Sequence, residues 1–289
     1  MKKTTQGIYP ATLYVVATPI GNLGDISLRA LEVLAGVDIV AAEDTRHTRA
    51  LLNHFKIRAR LVSLHDHNEA QRCNVLVKNL HDGHSIALVS DAGTPLISDP
   101  GYRLVRAVRA AGKEVRAVPG ASAVTAALSI CGLSTNRFAF EGFLPARAAA
   151  RRTRLENLAH ESRTLVFFES PHRLVATLAD MAVAFGDGRQ AALVGEISKR
   201  FEAVVTGTIR MLEDRACSDS DLCRGELVIV VEGMEGQITE YFVDPYQLVG
   251  VLTEYLPPRV ASEVAARLTG GRKNEFYRLA MSDFEPSNP

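Results

Sequence analysis

Between residues 13 and 118, short and mostly apolar runs alternate with longer segments whose apolar positions recur at helical spacing. The runs 13–17, 37–42, 60–64, 85–90 and 114–118 are predicted strands, each bounded by turn residues. Helices are predicted between them: one starting at a cap on Asp25 or Ser27 with Ile26, Leu28, Leu31, Val33 and Leu34 on its apolar face, then 46–55, 69–81 and 101–111. Strands without inside-outside alternation are buried on both faces, and helices of this length between them supply crossover connections. The fold class is therefore α/β with a parallel sheet.

After Pro119-Gly120 the pattern changes. A helix of small residues is predicted at 121–130, a loop through Phe143-Leu144-Pro145, a basic helix at about 147–160, and strands at 164–168, 190–195 and 225–232. These form a second α/β unit. From Gly233 the chain reads as a linker followed by short helices at 244–255, 258–268 and, after Thr269-Gly270-Gly271, 273–281. Three segments are expected: an α/β domain over 1–120, a second over 121–233, and a linker with a helix-turn-helix-like extension over 234–289.

Composition narrows the partners without naming one. The 289 residues are 47% hydrophobic and 23% charged, enough for a sizeable core or two smaller ones. Thirty-three basic side chains face 33 acidic ones, so any nucleic-acid contact must come from local patches or an oligomer. The cysteines at 73, 131, 217 and 223 are scattered and lack the C-x-x-C spacing of a metal site, which suits a reducing compartment. No run approaches the roughly 18 apolar residues that span a bilayer, so a cytoplasmic protein without a membrane partner is expected.

Candidate chemistry gathers at strand ends. Ser90-Asp91-Ala92-Gly93-Thr94-Pro95-Leu96-Ile97-Ser98-Asp99-Pro100-Gly101 follows a buried strand and opens a helix, and its small residues allow backbone amides to approach a ligand closely. Val118 to Ala123 also follows a strand, and Ser122 there either faces the same ligand or caps the next helix. Glu43-Asp44-Thr45-Arg46, with Arg49 one turn on, reads as a structural ion pair, a substrate contact, or both. Phe168-Glu169-Ser170-Pro171-His172-Arg173 sets an aromatic beside an acid, a combination suited to an adenine. Gly195-Glu196 with Lys199-Arg200 adds an acid and two cations, and Glu226 opens the last long strand.

Other patterns fail on context. Gly186-Asp187-Gly188 precedes a strand where a dinucleotide loop must follow one. The pairs His65/His67 and His81/His84 lack further ligands, so no metal is expected. Phosphate-binding GxxxxGK[ST] and esterase GxSxG motifs do not occur. Basic clusters at Arg147, Arg151, Arg152 and Arg154, and at Arg259, Arg267, Arg272, Lys273 and Arg278, either neutralise phosphates or form solvated helix faces.

Taken together, Thr18 to Asp25, Ala42 to Arg46, Ser90 to Gly101, Pro119 to Ser122 and Phe168 to Arg173 resemble, in order, the motifs of the tetrapyrrole methylase superfamily, over a span from about Tyr14 to Gly233. Gly93-Thr94-Pro95 stands where many tetrapyrrole-modifying members carry Gly-Asp-Pro, a departure that favours the RNA-modifying branch.

The resemblance implies two α/β domains with an S-adenosylmethionine pocket in the cleft between them, a homodimer, and 2'-O-methylation of a cytidine in the decoding region of 16S rRNA, on the small ribosomal subunit. By motif, Pro19, Ser90, Asp91, Ala92, Gly93, Thr94, Ile97, Ser122 and Ala123 would line one wall of that pocket. Phe168 and Glu169 would lie near the adenine, and Glu226 and Leu227 would close the far side. With the methyl already activated on sulfur, the protein has to align a hydroxyl and help remove its proton. Asp44 or Glu43 is the expected proton-handling group, with Lys199 and Arg46 steering phosphate or acidifying the hydroxyl. Arg46, Arg49, Arg151, Arg152, Arg173, Arg272 and Lys273 are the expected RNA contacts. A tetrapyrrole C-methyltransferase and a non-catalytic ribosome-binding module remain the competing readings.

Overall fold

The computed structural model describes residues 7–65, 67–219, 222, 224–234 and 244–282. Its first half alternates strand and helix: β1 (Thr12–Val16), α1 (Leu28–Gly36), β2 (Ile39–Ala42), α2 (Thr45–His54), β3 (Leu61–Ser63), α3 (Glu69–His81), β4 (Ile86–Val89), α4 (Tyr102–Ala110) and β5 (Glu114–Val118). The five strands pair in the order β3-β2-β4-β1-β5, all parallel. Every residue of β2 and β4 is buried, because helices cover both faces of the sheet. On one face Tyr14, Val16 and Val40 pack with Val33 and Leu34 of α1 and Leu52 of α2. On the other, Leu13, Ile39 and Leu88 meet Leu76 and Leu80 of α3 and Leu104 of α4. The Ser27 hydroxyl accepts the Ala30 N–H and so starts α1.

Helix α5 (Ala123–Ile130) leaves this sheet and packs on the next one. The second sheet is built from β6 (Phe138–Phe143), α6 (Ala148–Leu158), β7 (Thr164–Glu169), α7 (Leu174–Phe185), β8 (Gln190–Gly195), β9 (Ala203–Thr208), α8 (Ile209–Ser218) and β10 (Leu227–Val231). Its order is β6-β7-β10-β8-β9, with β6 parallel to β7 and the other pairings antiparallel.

Two strands depart from the sequence expectation: β6 lies where a loop was expected, and β9 was not foreseen. Both are edge strands. Each has a single buried residue, so neither shows the continuous apolar run that marks a central strand.

The described residues as far as Met234 form one compact unit holding both sheets, and those from Asp244 form a second. The second unit contains α9 (Pro245–Tyr255), α10 (Pro258–Thr269) and α11 (Lys273–Ser282), packed around Val249, Ala265, Phe276 and Ala280. Gly270, at φ +71°, ends α10, a position where a side chain would be strained. Among the described residues no helix is long and apolar enough to cross a membrane.

One polar group in the second sheet's helical layer is structural. Arg151 was expected on RNA, yet its guanidinium is buried, with Nε donating to Asp180 Oδ2 at 2.7 Å, while Arg152 Nε donates to Oδ1 at 2.7 Å. Arg151 thus turns inward from α6 onto α7, and only Arg152 of the pair presents surface to solvent. Removing the carboxylate strands a buried cation, so Asp180→Ala should lower unfolding free energy by about 3–5 kcal/mol in urea titration. A loss below about 1 kcal/mol would show that the pair is dispensable.

Candidate functional site

All strands of the first sheet point the same way, so the loops after β1, β4 and β5 emerge side by side at its carboxyl edge. They are laced together there. Thr18 N–H donates to Gly93 O at 2.8 Å, and Gly93 N–H donates back to Thr18 O at 3.0 Å. Thr94 Oγ1 donates to Ala121 O at 3.0 Å. Gly93 sits at φ +79° with Ile20 packed against it, a conformation and a closeness that disfavour any side chain. Further along the same loop Leu96 (φ +74°) and Ser98 (φ +68°) are also left-handed, and such non-glycine residues cost energy and gather at ligand sites.

Opposite this edge stand the end of β7 and the start of β10. Between them lies a cavity of about 310 Å³. Ala92, Gly93, Thr94, Ile97, Ser122 and Ala123 line it from the first sheet, and Phe168, Glu169, Glu226 and Leu227 from the second. Pro19, Ser90 and Asp91 are not among its lining residues. Ser90 is buried behind the wall, with its hydroxyl donating to Ala92 O at 3.3 Å. Ser122 holds the N-cap position of α5 without a capping side-chain bond, and instead borders the cavity.

Sequence reading missed several lining residues: Ile20, Ser98, Asp99, Phe143, Ser170, Ile197, Gly225 and Val228. Ser98 and Asp99 sit inside the quoted Ser90 to Gly101 stretch, and Phe143 stands at the end of the unforeseen β6. Phe168 meets Phe140 and Phe143 edge to face, with centroids 4.9 and 5.5 Å away. The aromatic wall is thus a cluster rather than one ring.

Glu169 was expected to read an adenine, but its buried carboxylate already has partners within the chain. It accepts from Ser170 N–H at 2.8 Å and Thr177 Oγ1 at 2.6 Å, with Arg173 Nε at 3.4 Å. Arg173, expected on RNA, is instead turned into this frame. It donates to Leu144 O at 2.8 Å and Pro145 O at 3.1 Å, and so fixes the turn that follows Phe143.

A second polar knot joins the two edges. Glu196 Oε1 accepts from Lys199 Nζ at 2.9 Å and from Glu226 N–H at 3.1 Å, and Lys199 also lies 3.4 Å from the Glu226 carboxylate. The Lys199 hydrogen bond is the leading cause holding the Glu196 carboxyl below the usual range. Lys199 crosses Gly21 of the loop after β1, where an added Cβ would come 2.5 Å from Lys199 Cγ. Ser198, beside Lys199 in the loop after β8, donates a hydrogen bond to Asp25 in the loop after β1.

The acids after β2 flank the cavity without lining it. Asp91 and the β2 terminus exchange bonds: Asp44 N–H donates to Asp91 Oδ1 at 3.0 Å, and Asp91 N–H to Glu43 Oε2 at 3.4 Å. Asp44 caps α2 and pairs with exposed Arg46 at 2.7 Å. Its carboxyl is held far below the usual range, first by the Arg46 side chain and then by the Arg46 N–H. Asp44 is therefore a weak base and a firm anchor for the start of α2. Arg49 and Arg272 are exposed, and Lys273 pairs with Glu263 at 2.7 Å.

The family model described as Tetrapyrrole (Corrin/Porphyrin) Methylases matches residues 12–213. The protein named Ribosomal RNA small subunit methyltransferase I from Xylella fastidiosa is 50% identical to this chain, over 93% of it and 98% of the relative. Its namesake from Pseudomonas aeruginosa is 49% identical over 93% and 96%. Among solved structures, the methyltransferase CobJ superposes with TM-score 0.57 at 17% identity, covering 76% of this chain and 93% of its own. A uroporphyrin-III C-methyl transferase from Thermus thermophilus, complexed with S-adenosyl homocysteine, gives TM-score 0.52 at 18% identity, covering 76% and 97%. The chain belongs to the tetrapyrrole (corrin/porphyrin) methylase family and, within it, to the group of ribosomal RNA small subunit methyltransferase I.

Two consequences are measurable. Glu169→Ala leaves the Thr177 hydroxyl and the Ser170 N–H without their acceptor and removes the counter-charge beside Arg173, and should cost about 3 kcal/mol of stability in denaturant titration. Because folding depresses the Asp44 pKa, the stability it adds is present above the usual carboxylate range and lost as pH falls through its folded value. The stability gap between wild type and Asp44→Asn should therefore be seen at neutral pH and close in acid; a gap that widens in acid would reverse the assignment.

Proposed function

We propose that this chain transfers the methyl group of S-adenosylmethionine to the ribose 2'-hydroxyl of a cytidine in the decoding region of 16S rRNA. The observation that carries the reading is the cavity between two strand-end walls, in a chain about half identical, along nearly its whole length, to relatives named for small-subunit rRNA methylation. The cavity's chemistry suits the donor: small residues with accessible backbone at Ala92 to Thr94 and Ser122 for a polar head, and Phe143 and Phe168 for a flat ring. A fold relative solved with S-adenosyl homocysteine agrees with that choice.

When bound, the donor supplies an activated methyl on a cationic sulfur. The chain's task is then alignment and proton removal. Gly93, held by Thr18 and shaped by its positive φ, would help hold the donor's small polar head. Phe143 and Phe168 would offer apolar ring faces to the donor's flat base. Glu43 is the proposed proton acceptor, held beside the donor wall through Asp91, and Asp44 keeps Arg46 directed at the acceptor strand. Lys199 steers phosphate or acidifies the hydroxyl from the rim, where Glu226 brings it to the cavity edge. A homodimer, a cytoplasmic location, and an RNA grip shared by Arg49, Arg152, Arg272 and Lys273 complete the proposal.

Mass mapping of ribose methylation in 16S rRNA from cells with and without this protein tests the reading, together with methyl transfer in vitro to small subunits and to a uroporphyrinogen-type acceptor. Loss of one cytidine 2'-O-methyl group without the protein is expected; an unchanged map, with methyl delivered to the tetrapyrrole, would overturn it. Gly93→Val should weaken donor binding at least about tenfold by calorimetry, since a branched side chain fits neither φ nor space there. Glu43→Gln should lower kcat by about 10²-fold with donor affinity retained, the usual loss for a missing general base.

A further inference from the structure

A second cavity, of about 290 Å³, opens on the α1 face of the first sheet, away from the donor wall. Tyr14 and Arg116 stand side by side in register on β1 and β5, and both line it. Arg29 of α1 and Tyr9 close it, above a buried floor that includes Val33 and Val118. No acidic residue is among those lining it.

Its donors outnumber its acceptors. Tyr14 is only 5% exposed, and its hydroxyl oxygen accepts the Tyr9 N–H at 2.9 Å. No acceptor for the hydroxyl's own proton occurs among the described residues. Arg116 stacks on the Tyr9 ring at 4.0 Å, and its Nε is buried without a hydrogen-bond acceptor. The nearest carboxylate, Glu114, reaches only 3.8 Å from that nitrogen, beyond hydrogen-bond range. Arg29 uses one arm on Ala117 O at 2.7 Å and keeps its charge at the rim. Two cations, one of them half-exposed with Glu114 as a loose ion-pair partner, and two unmatched buried donors face one cavity whose lining holds no acid, a setting that suits an acceptor-rich anion, because a buried donor left unpaired is costly.

We infer that this cavity is a phosphate-binding site, separate from the donor site and connected to it by β5, which runs from Arg116 to the Pro119–Ser122 turn. Resting on the function proposed above, its occupant is a backbone phosphate of the RNA acceptor. A free phosphate ester is the other source of the same chemistry. A planar guanidinium held against Tyr9 offers fixed donors to phosphate oxygens, and the Tyr14 hydroxyl supplies another.

The full-length protein is compared with Arg116→Gln, Tyr14→Phe and, as control, Arg106→Gln on exposed α4 at the opposite face of the sheet. Wild type and control should gain thermal stability from inorganic phosphate and from a 5'-nucleotide, and both site variants should lose that gain. In rRNA methylation Arg116→Gln should raise the KM for small subunits about tenfold, the worth of one charge-assisted bond, with kcat and donor affinity unchanged. Its log–log salt slope for RNA binding should fall by about 0.7–0.9, one phosphate's share.

Loss of phosphate stabilisation with unchanged KM keeps the anion site and assigns it to a free phosphate ester. Phosphate stabilisation retained in both site variants overturns the site. Because the stability measurement needs no methylation, a protein inactive on rRNA would count against the proposed function while leaving this test intact.

Discussion

The structure depends on a pair of hydrogen bonds between Thr18 and Gly93. Parallel strands deliver their loops to a common edge but do not connect them, and loops of small residues lose much conformational freedom when ordered. The reciprocal bonds between these two residues tie the loop after β1 to the loop after β4, and Thr94 extends the tie to the turn after β5. From that seam come the left-handed turns at Leu96 and Ser98, and the placing of Ala92 to Thr94 along the cavity. Only glycine accepts both the φ and the packing at position 93.

The facing wall is built by a different device. Here buried and half-buried charges fix backbone: Glu169 with Thr177 and Arg173 frames the turn after Phe143, and Glu196 with Lys199 frames the start of β10. Each carboxylate has several donors, the arrangement in which a buried polar group rigidifies rather than weakens its surroundings. Both knots also explain why acids and cations that look reactive in the sequence are engaged with their own chain.

The central strands were legible because burial on two faces writes an unbroken apolar run, as in Ile86 to Val89 and Leu227 to Val231. Edge strands write no such run: β3 and β5 were legible from their place in the strand-helix alternation of the first half, whereas β6 and β9 stand outside any such alternation and were missed. In the cavity, small residues after strands pointed to Gly93, Thr94 and Ser122, whereas Ile20 and Ile197 carry no local signal because their exposure to the cavity is decided by packing between distant segments. The inward turn of Arg151 and Arg173 was equally hidden, since Asp180 and the Leu144 and Pro145 carbonyls are their partners only in three dimensions. Asp91 looked like a ligand contact from its neighbours, and its bonds to the β2 end appear only once the strand register is known.

The irregular end of β6 has a further outcome. The ladder to β7 slips between Phe140 and Gly142, where Gly142 takes φ +66°, and pairing resumes only at Gly142 and Phe143, where the strand ends. A slipped margin offers a poor template for another molecule's strand, so the irregularity guards the sheet against growing by edge-to-edge association. The same kink delivers Phe143, more than half exposed, to the cavity mouth. Protection from aggregation and the shape of the binding cleft are thus set by one misaligned residue.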